Sequence, residues 1–134
     1  MKILVTILLI LIFTVFPSEV LAKPSVLNHP YIQLKLLVFP FFRPFANTVN
    51  VIFVNLKSVS TLNYTLTYES SGVPQGVVGS INPGNLNIKI EKIFLGTCSG
   101  NVCSKHTNLR NGVLTVTGKY KNGENINKSV PVGF

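Results

Sequence analysis

From Leu62 to Glu69 the chain alternates without a break, with Leu62, Tyr64, Leu66 and Tyr68 on one side and Asn63, Thr65, Thr67 and Glu69 on the other. Successive side chains of a strand point to opposite faces, so this spacing specifies a half-buried β-strand and conflicts with the 3.6-residue period of a helix. Val49 to Leu56, β-branched and aromatic between polar loops, reads as a buried strand. Leu86, Ile88 and Ile90 oppose Asn87, Lys89 and Glu91. The apolar phase then slips to Ile93 and Leu95, which predicts a bulge near Glu91-Lys92. Leu114, Val116 and Tyr120 share a face, as do Ile126, Val130 and Val132, with Asn125, Asn127 and Ser129 outside. Between these runs lie turn-forming clusters at 57–60, 70–76, 82–85, 111–112 and 121–124. Asn122-Gly123 predicts a hairpin with a type I′ turn, because both residues tolerate positive φ. Gly76 to Ile81 reads as a short edge strand, and Pro131 suits a terminal edge. No segment after residue 22 has helical periodicity. The chain is expected to be all-β.

The first residues follow a different logic. Met1-Lys2 is a short positive start, and Ile3 to Phe16 is an apolar run interrupted only by Thr6 and Thr14. A run of that length suits the helical core of a secretory signal and falls short of the roughly 20 residues that span a bilayer. Pro17 and Ser18 break it, and Val20-Leu21-Ala22 supplies a small-residue cleavage pattern. Cleavage is therefore expected between Ala22 and Lys23, leaving no membrane span, and an uncleaved anchor is the alternative. Export to the cell surface or medium follows, with residues 1–22 as signal peptide, 23–30 as a polar lead-in and 31–134 as one domain.

Tyr31, Ile32, Leu34, Leu36 and Val38 suggest a further strand, followed by the proline-broken stretch Phe39 to Phe45. Pro40 and Pro44 lack the N–H that a central ladder needs, so this is an edge strand or an extended lead-in. Two readings compete for Phe39, Phe41, Phe42, Arg43 and Phe45. Either the rings close one end of the fold, or they form an exposed aromatic-basic patch for a membrane or partner. His29, before Pro30, reads as an exposed residue of the lead-in.

Cys98 and Cys103 are the only cysteines, and an exported chain keeps such a pair as a disulfide. Closing so short a loop stabilises by about 2 kcal/mol on the chain-entropy estimate. Zinc is the competing use, with Cys98, Cys103, His106 and His29 as ligands, but only one pair is local. A nucleophilic site on His106 lacks its orienting acid, since the chain contains no Asp and its mature glutamates, Glu69, Glu91 and Glu124, fall on outward faces or in a turn. No cofactor and no catalytic residue is assigned, and the purpose of His106 stays open.

Twelve Lys and Arg against four Glu give a net charge of +8, unchanged after removal of Lys2 and Glu19 with the signal. Such a charge either keeps a solvated surface soluble or favours anionic surroundings such as envelope polymers, acidic lipid headgroups or, non-specifically, nucleic acid; an anionic envelope polymer or a surface protein is the expected partner. The lysines are dispersed and form no dedicated nucleic-acid patch. Asn63-Tyr64-Thr65 and Asn127-Lys128-Ser129 match the acceptor pattern for N-glycosylation, with both asparagines on solvent faces.

The strand and turn spacing over 31–134 resembles an immunoglobulin-like or fibronectin-type-III-like antiparallel sandwich of about seven strands. The segments from Asn55 to Pro83 and from Phe94 to Asn108, with Gly96-Thr97-Cys98, Cys103 and His106, are similar to a group of small, exported, uncharacterised bacterial proteins with such a domain. That resemblance implies a fold and no activity. The expected function is a non-enzymatic interaction or structural role at the cell surface, ahead of a module binding an apolar or anionic ligand, and ahead of a hydrolase built on His106.

Overall fold

The computed structural model describes residues 34–134. The expected signal segment, the Ala22-Lys23 junction, the lead-in with His29, and Tyr31 and Ile32 lie outside the described residues.

Among the described residues, nine strands form three antiparallel sheets. β1 (Leu37–Arg43), β2 (Thr48–Val54) and β5 (Ile88–Phe94) make a three-stranded sheet in the order β1-β2-β5. β3 (Val59–Ser70), β4 (Val73–Ile81), β8 (Leu109–Tyr120) and β9 (Asn125–Val132) make a four-stranded sheet in the order β4-β3-β8-β9. Between β5 and β8 the chain forms a ribbon of β6 (Gly96–Ser99) and β7 (Val102–Lys105). A single 3₁₀ turn, Leu56–Ser58, joins β2 to β3.

The two larger sheets share one core. Val49, Val51 and Phe53 of β2 and Ile93 of β5 are buried with Leu62, Leu66, Leu114, Val116 and Ile126 of the other sheet. The period-2 pattern of 62–69 is realised as read, since Leu62, Leu66 and Tyr68 are buried and Asn63 and Thr67 are exposed. Phe53 carries the largest side chain among the fully buried residues, and it meets the ring of Tyr64 at 6.1 Å between centroids. At one margin of the core the Leu36 N–H donates to the Tyr120 hydroxyl at 3.0 Å, and the Lys128 ammonium donates to the Leu36 carbonyl.

Leu34 and Leu36, read as part of a strand with Val38, precede β1, and Val59 and Ser60, read as turn, open β3. Four further expectations need correction. No bulge interrupts β5, because its register against β2 runs unbroken from Thr48↔Phe94 to Val54↔Ile88. The core phase set by Ile93 therefore extends back through Glu91 and Lys89, and Ile88 and Ile90 face outward. The outward placement read for Glu91 fails with it: Glu91 pairs with Lys89 at 3.0 Å beside Tyr64, at the sheet margin. Second, Asn122 is not in the left-handed region. Gly123 is, at φ 89°, and its N–H donates to the Tyr120 carbonyl at 3.0 Å, so only one residue of the turn needs positive φ. The two-residue turn with positive φ at both positions is Ser71-Gly72, at 49° and 83°, joining β3 directly to β4. Third, that turn leaves no loop at 70–76, and β4 starts at Val73. Fourth, Asn111-Gly112 does not turn the chain. Asn111 has φ 52° inside β8, at the register shift between Thr67 and Glu69 of the partner strand, so the device there is a bulge.

Edges follow the proline reading. Pro40 lies in β1 and Pro131 in β9, both edge strands. β4, the other edge of the four-stranded sheet, carries Pro74.

Candidate functional site

Registers place the outward side chains of the three-stranded sheet in four rows. They are Leu37–Val54–Ile88, Phe39–Ile52–Ile90, Phe41–Asn50–Lys92 and Arg43–Thr48–Phe94. The first two rows are wholly apolar, and Leu37, Phe39, Phe41, Ile88 and Ile90 are each between 44 and 55% exposed. Strand alternation explains how this arises: β2 is apolar throughout Val51 to Val54, so burying Val51 and Phe53 with Val49 leaves Ile52 and Val54 on the opposite face. An antiparallel sheet with one wet face normally makes that face polar. This one does not.

Asn50 sits in the middle of that face, only 6% exposed between Phe41 and Lys92. Its side-chain oxygen has no hydrogen-bond partner among the described residues. A buried acceptor without a donor costs about 1–3 kcal/mol.

The hairpin joining β1 to β2 ends in Pro44-Phe45-Ala46-Asn47. Phe45 at its tip is 96% exposed. Asn47 takes φ 52°, which asparagine tolerates better than most residues, and closes the turn by donating its N–H to the Pro44 carbonyl at 3.2 Å. The Lys105 ammonium donates to the Phe45 carbonyl at 3.0 Å, bringing a cation to the tip. The aromatic segment thus divides. Phe39, Phe41 and Phe45 are exposed, while Phe42 turns inward onto the ring of Phe134, with centroids 5.2 Å apart and edge-on. Only Phe42 behaves as a core-closing ring.

The remaining sequence candidates assemble into a structural node. Cys98 and Cys103 face each other across the ribbon and are disulfide-bonded, so neither sulfur is free to hold a metal. His106 follows the ribbon with both ring nitrogens engaged: Nδ1 with the Tyr68 hydroxyl at 2.9 Å and Nε2 with the Thr97 hydroxyl at 3.0 Å. Its N–H donates to the Leu95 carbonyl at 3.0 Å, and its carbonyl accepts from the Asn47 side-chain amide at 3.1 Å. The same amide donates to the Leu95 carbonyl. The node therefore ties the β1–β2 turn, the ribbon and the end of β3 together. Each ring nitrogen can donate or accept because its hydroxyl partner can do either. No carboxylate takes part, so the ring has no acid to orient it as a base. Burial raises the Tyr68 hydroxyl pKa above its ordinary 10.0. Tyr64 is raised too, by burial first and the Glu91 carboxylate second, with Lys89 opposing.

Among the described residues, no three His, Cys, Asp or Glu side chains gather closely enough to hold a metal ion, and no helix is long and apolar enough to cross a membrane. Asn63 and Asn127 are exposed on the outer face of the four-stranded sheet, in one register row through Thr117. Sequence reasoning overlooked Asn47 and Asn50 and, having placed Tyr68 on the inner face, missed its bond to His106. The only available signal was an asparagine closing a proline-aromatic turn immediately before an apolar run. Comparison of the chain with protein-family models, curated proteins and solved structures finds no match.

Proposed function

We propose that this protein is a non-enzymatic interaction domain of the cell surface or secreted medium, working through the outer face of the β1-β2-β5 sheet. The observation that carries the reading is the pair of apolar rows Leu37–Val54–Ile88 and Phe39–Ile52–Ile90, left uncovered by the described residues and turned away from the core that the two larger sheets share. Contiguous exposed apolar surface of this kind marks interaction sites, whereas scattered apolar residues do not. Edge pairing is the poorer route to a partner, because β1, β4 and β9 each carry a proline that interrupts an incoming ladder, and β5, the fourth edge, carries the charged side chains of Lys89, Glu91 and Lys92. The disulfide is consistent with an oxidising compartment.

The fold assignment we favour is a fibronectin-type-III-like or immunoglobulin-like sandwich, related to the small exported bacterial proteins that its motifs resemble. In the lettering of immunoglobulin sandwiches, β1, β2 and β5 take places A, B and E. β3, β8 and β9 take C, F and G, and β4 takes C′ beside C. The ribbon is then an addition in the E–F connection, and the disulfide belongs to that addition rather than to the sheets. An interaction domain of this type needs no catalytic group, and His106 is used up in holding the ribbon.

The test is capture from cell-surface material by the purified full chain and by a variant carrying Phe39→Thr, Ile88→Thr and Ile90→Thr. The reading expects partners bound by the natural chain and lost by the variant, with unchanged thermal unfolding. Equal capture by both chains overturns it.

A further inference from the structure

We infer that the partner of this face is an anionic lipid surface, an inference that rests on the interaction reading above and deepens it. Its first support is the chemistry of the rows. Arg43 and Lys92 project from the same face as the half-exposed phenylalanines and isoleucines, and no carboxylate occurs in any of the four rows. The nearby Glu91 belongs to the opposite phase and is held by Lys89. Uniformly positive charge interleaved with apolar side chains complements a bilayer that presents phosphates above acyl chains. Long basic side chains can keep their heads at the phosphate level while their stems follow the apolar boundary.

The second support is the hairpin tip. Phe45 is 96% exposed, and Arg43 lies two residues before it. The Lys105 ammonium is fixed on its carbonyl at 3.0 Å. A bare aromatic ring collared by cations suits insertion at an interface, where the ring leaves water and the charges stay among headgroups.

Charge also argues against the other occupants. A second copy would set Arg43 and Lys92 against their equals on a chain already at +8. An acidic protein satisfies the charge but leaves Phe45 needing its own dedicated pocket, which a bilayer supplies at any position.

The experiment uses the absence of tryptophan from the natural sequence. In the full chain carrying Phe45→Trp, the new indole is the sole one, so its emission reports position 45 and not the N-terminal segment. Mixed phosphatidylglycerol–phosphatidylcholine vesicles are expected to shift its emission to the blue, and brominated acyl chains to quench it. Vesicles of phosphatidylcholine alone should bind at least about 25-fold more weakly, given roughly fivefold for each of Arg43 and Lys92 near the surface. Adding Arg43→Gln and Lys92→Gln should weaken binding about 25-fold on the same basis, with thermal unfolding unchanged.

Emission unmoved by vesicles overturns the lipid inference even if the chain sediments with them. So does equal binding to neutral and anionic vesicles. A blue shift that grows with protein concentration in the absence of lipid assigns the face to a second copy instead. If the indole stays unmoved while capture of a surface protein still depends on Phe39, Ile88 and Ile90, the lipid inference falls and the interaction reading stands. If capture is also indifferent to those residues, both fall.

Discussion

The two larger sheets contribute to the same core but treat their outer faces oppositely. Most outward positions of the four-stranded sheet are polar, Asn63, Thr65 and Thr67 of β3, Thr115 and Thr117 of β8, and Asn127 and Ser129 of β9, while exposed Val78 of β4 and Val113 of β8 stand apart in separate rows. Those of the three-stranded sheet are Leu37, Phe39, Ile52, Ile88 and Ile90 with only a few polar interruptions. Threonine keeps the β-branched shape that suits a strand while offering a hydroxyl to water, so the first face needs no partner. The second forgoes that solution at most positions. Since the same chain shows how a wet face is built, the apolar one reads as selected for contact.

The largest test of this contrast compares the two sides of the three-stranded sheet. Phe53→Ala should destabilise by about 3–5 kcal/mol, seen as a lowered urea midpoint. Phe39→Ala should stay within about 1 kcal/mol, as a half-exposed residue does. Comparable losses at both positions would mean that the outer face is covered in solution, and the contrast would break. Next in size, His106→Ala should cost about 1–3 kcal/mol, because it leaves the buried Tyr68 hydroxyl without its partner. Thr115→Ala on the wet outer face should remain within about 0.5 kcal/mol.

Reducing the Cys98–Cys103 bond should cost about 2 kcal/mol in the same denaturation assay, with both sheet faces unaltered. A smaller effect belongs to alkaline pH. Tyr64 and Tyr68 hold their protons to higher pH in the folded chain than the ordinary 10.0. Their contribution is complete below that value and is lost as pH rises through the raised folded values. Unfolding followed across this range should show stability declining above about pH 10, and Tyr64→Phe with Tyr68→Phe should flatten that decline.

How far these faces could be foreseen depends on the strand. In β3, β8 and β9 polar and apolar residues alternate, so Leu62, Leu114 and Ile126 could be assigned to the core from spacing alone. In β2 the polar Thr48 and Asn50 mark only the first half of the outward phase, and the apolar Ile52 and Val54 that follow leave the wet face unmarked. In β5 the pattern misled. Ile88 and Ile90 seemed the natural inward set, yet continuous pairing with β2 carries the phase of Ile93 through Glu91 and Lys89. An edge strand can place an ion pair at the core margin, and only the neighbouring register reveals it. The disulfide was readable from the expected compartment and the count, but the ribbon that holds it was not, because a four-residue strand leaves too short a pattern. The His106 node was hidden for another reason: its partners Asn47, Tyr68 and Thr97 come from three separated segments.

The most direct measurement places a photo-crosslinking benzophenone side chain at position 39 in one full-length variant and at position 115 in another, with both exposed to cell-surface material and to anionic vesicles. Adducts at 39 and none at 115 are the predicted result. Equal yields from the two faces, or adducts confined to 115, would contradict the claim that the three-stranded sheet carries the interaction surface.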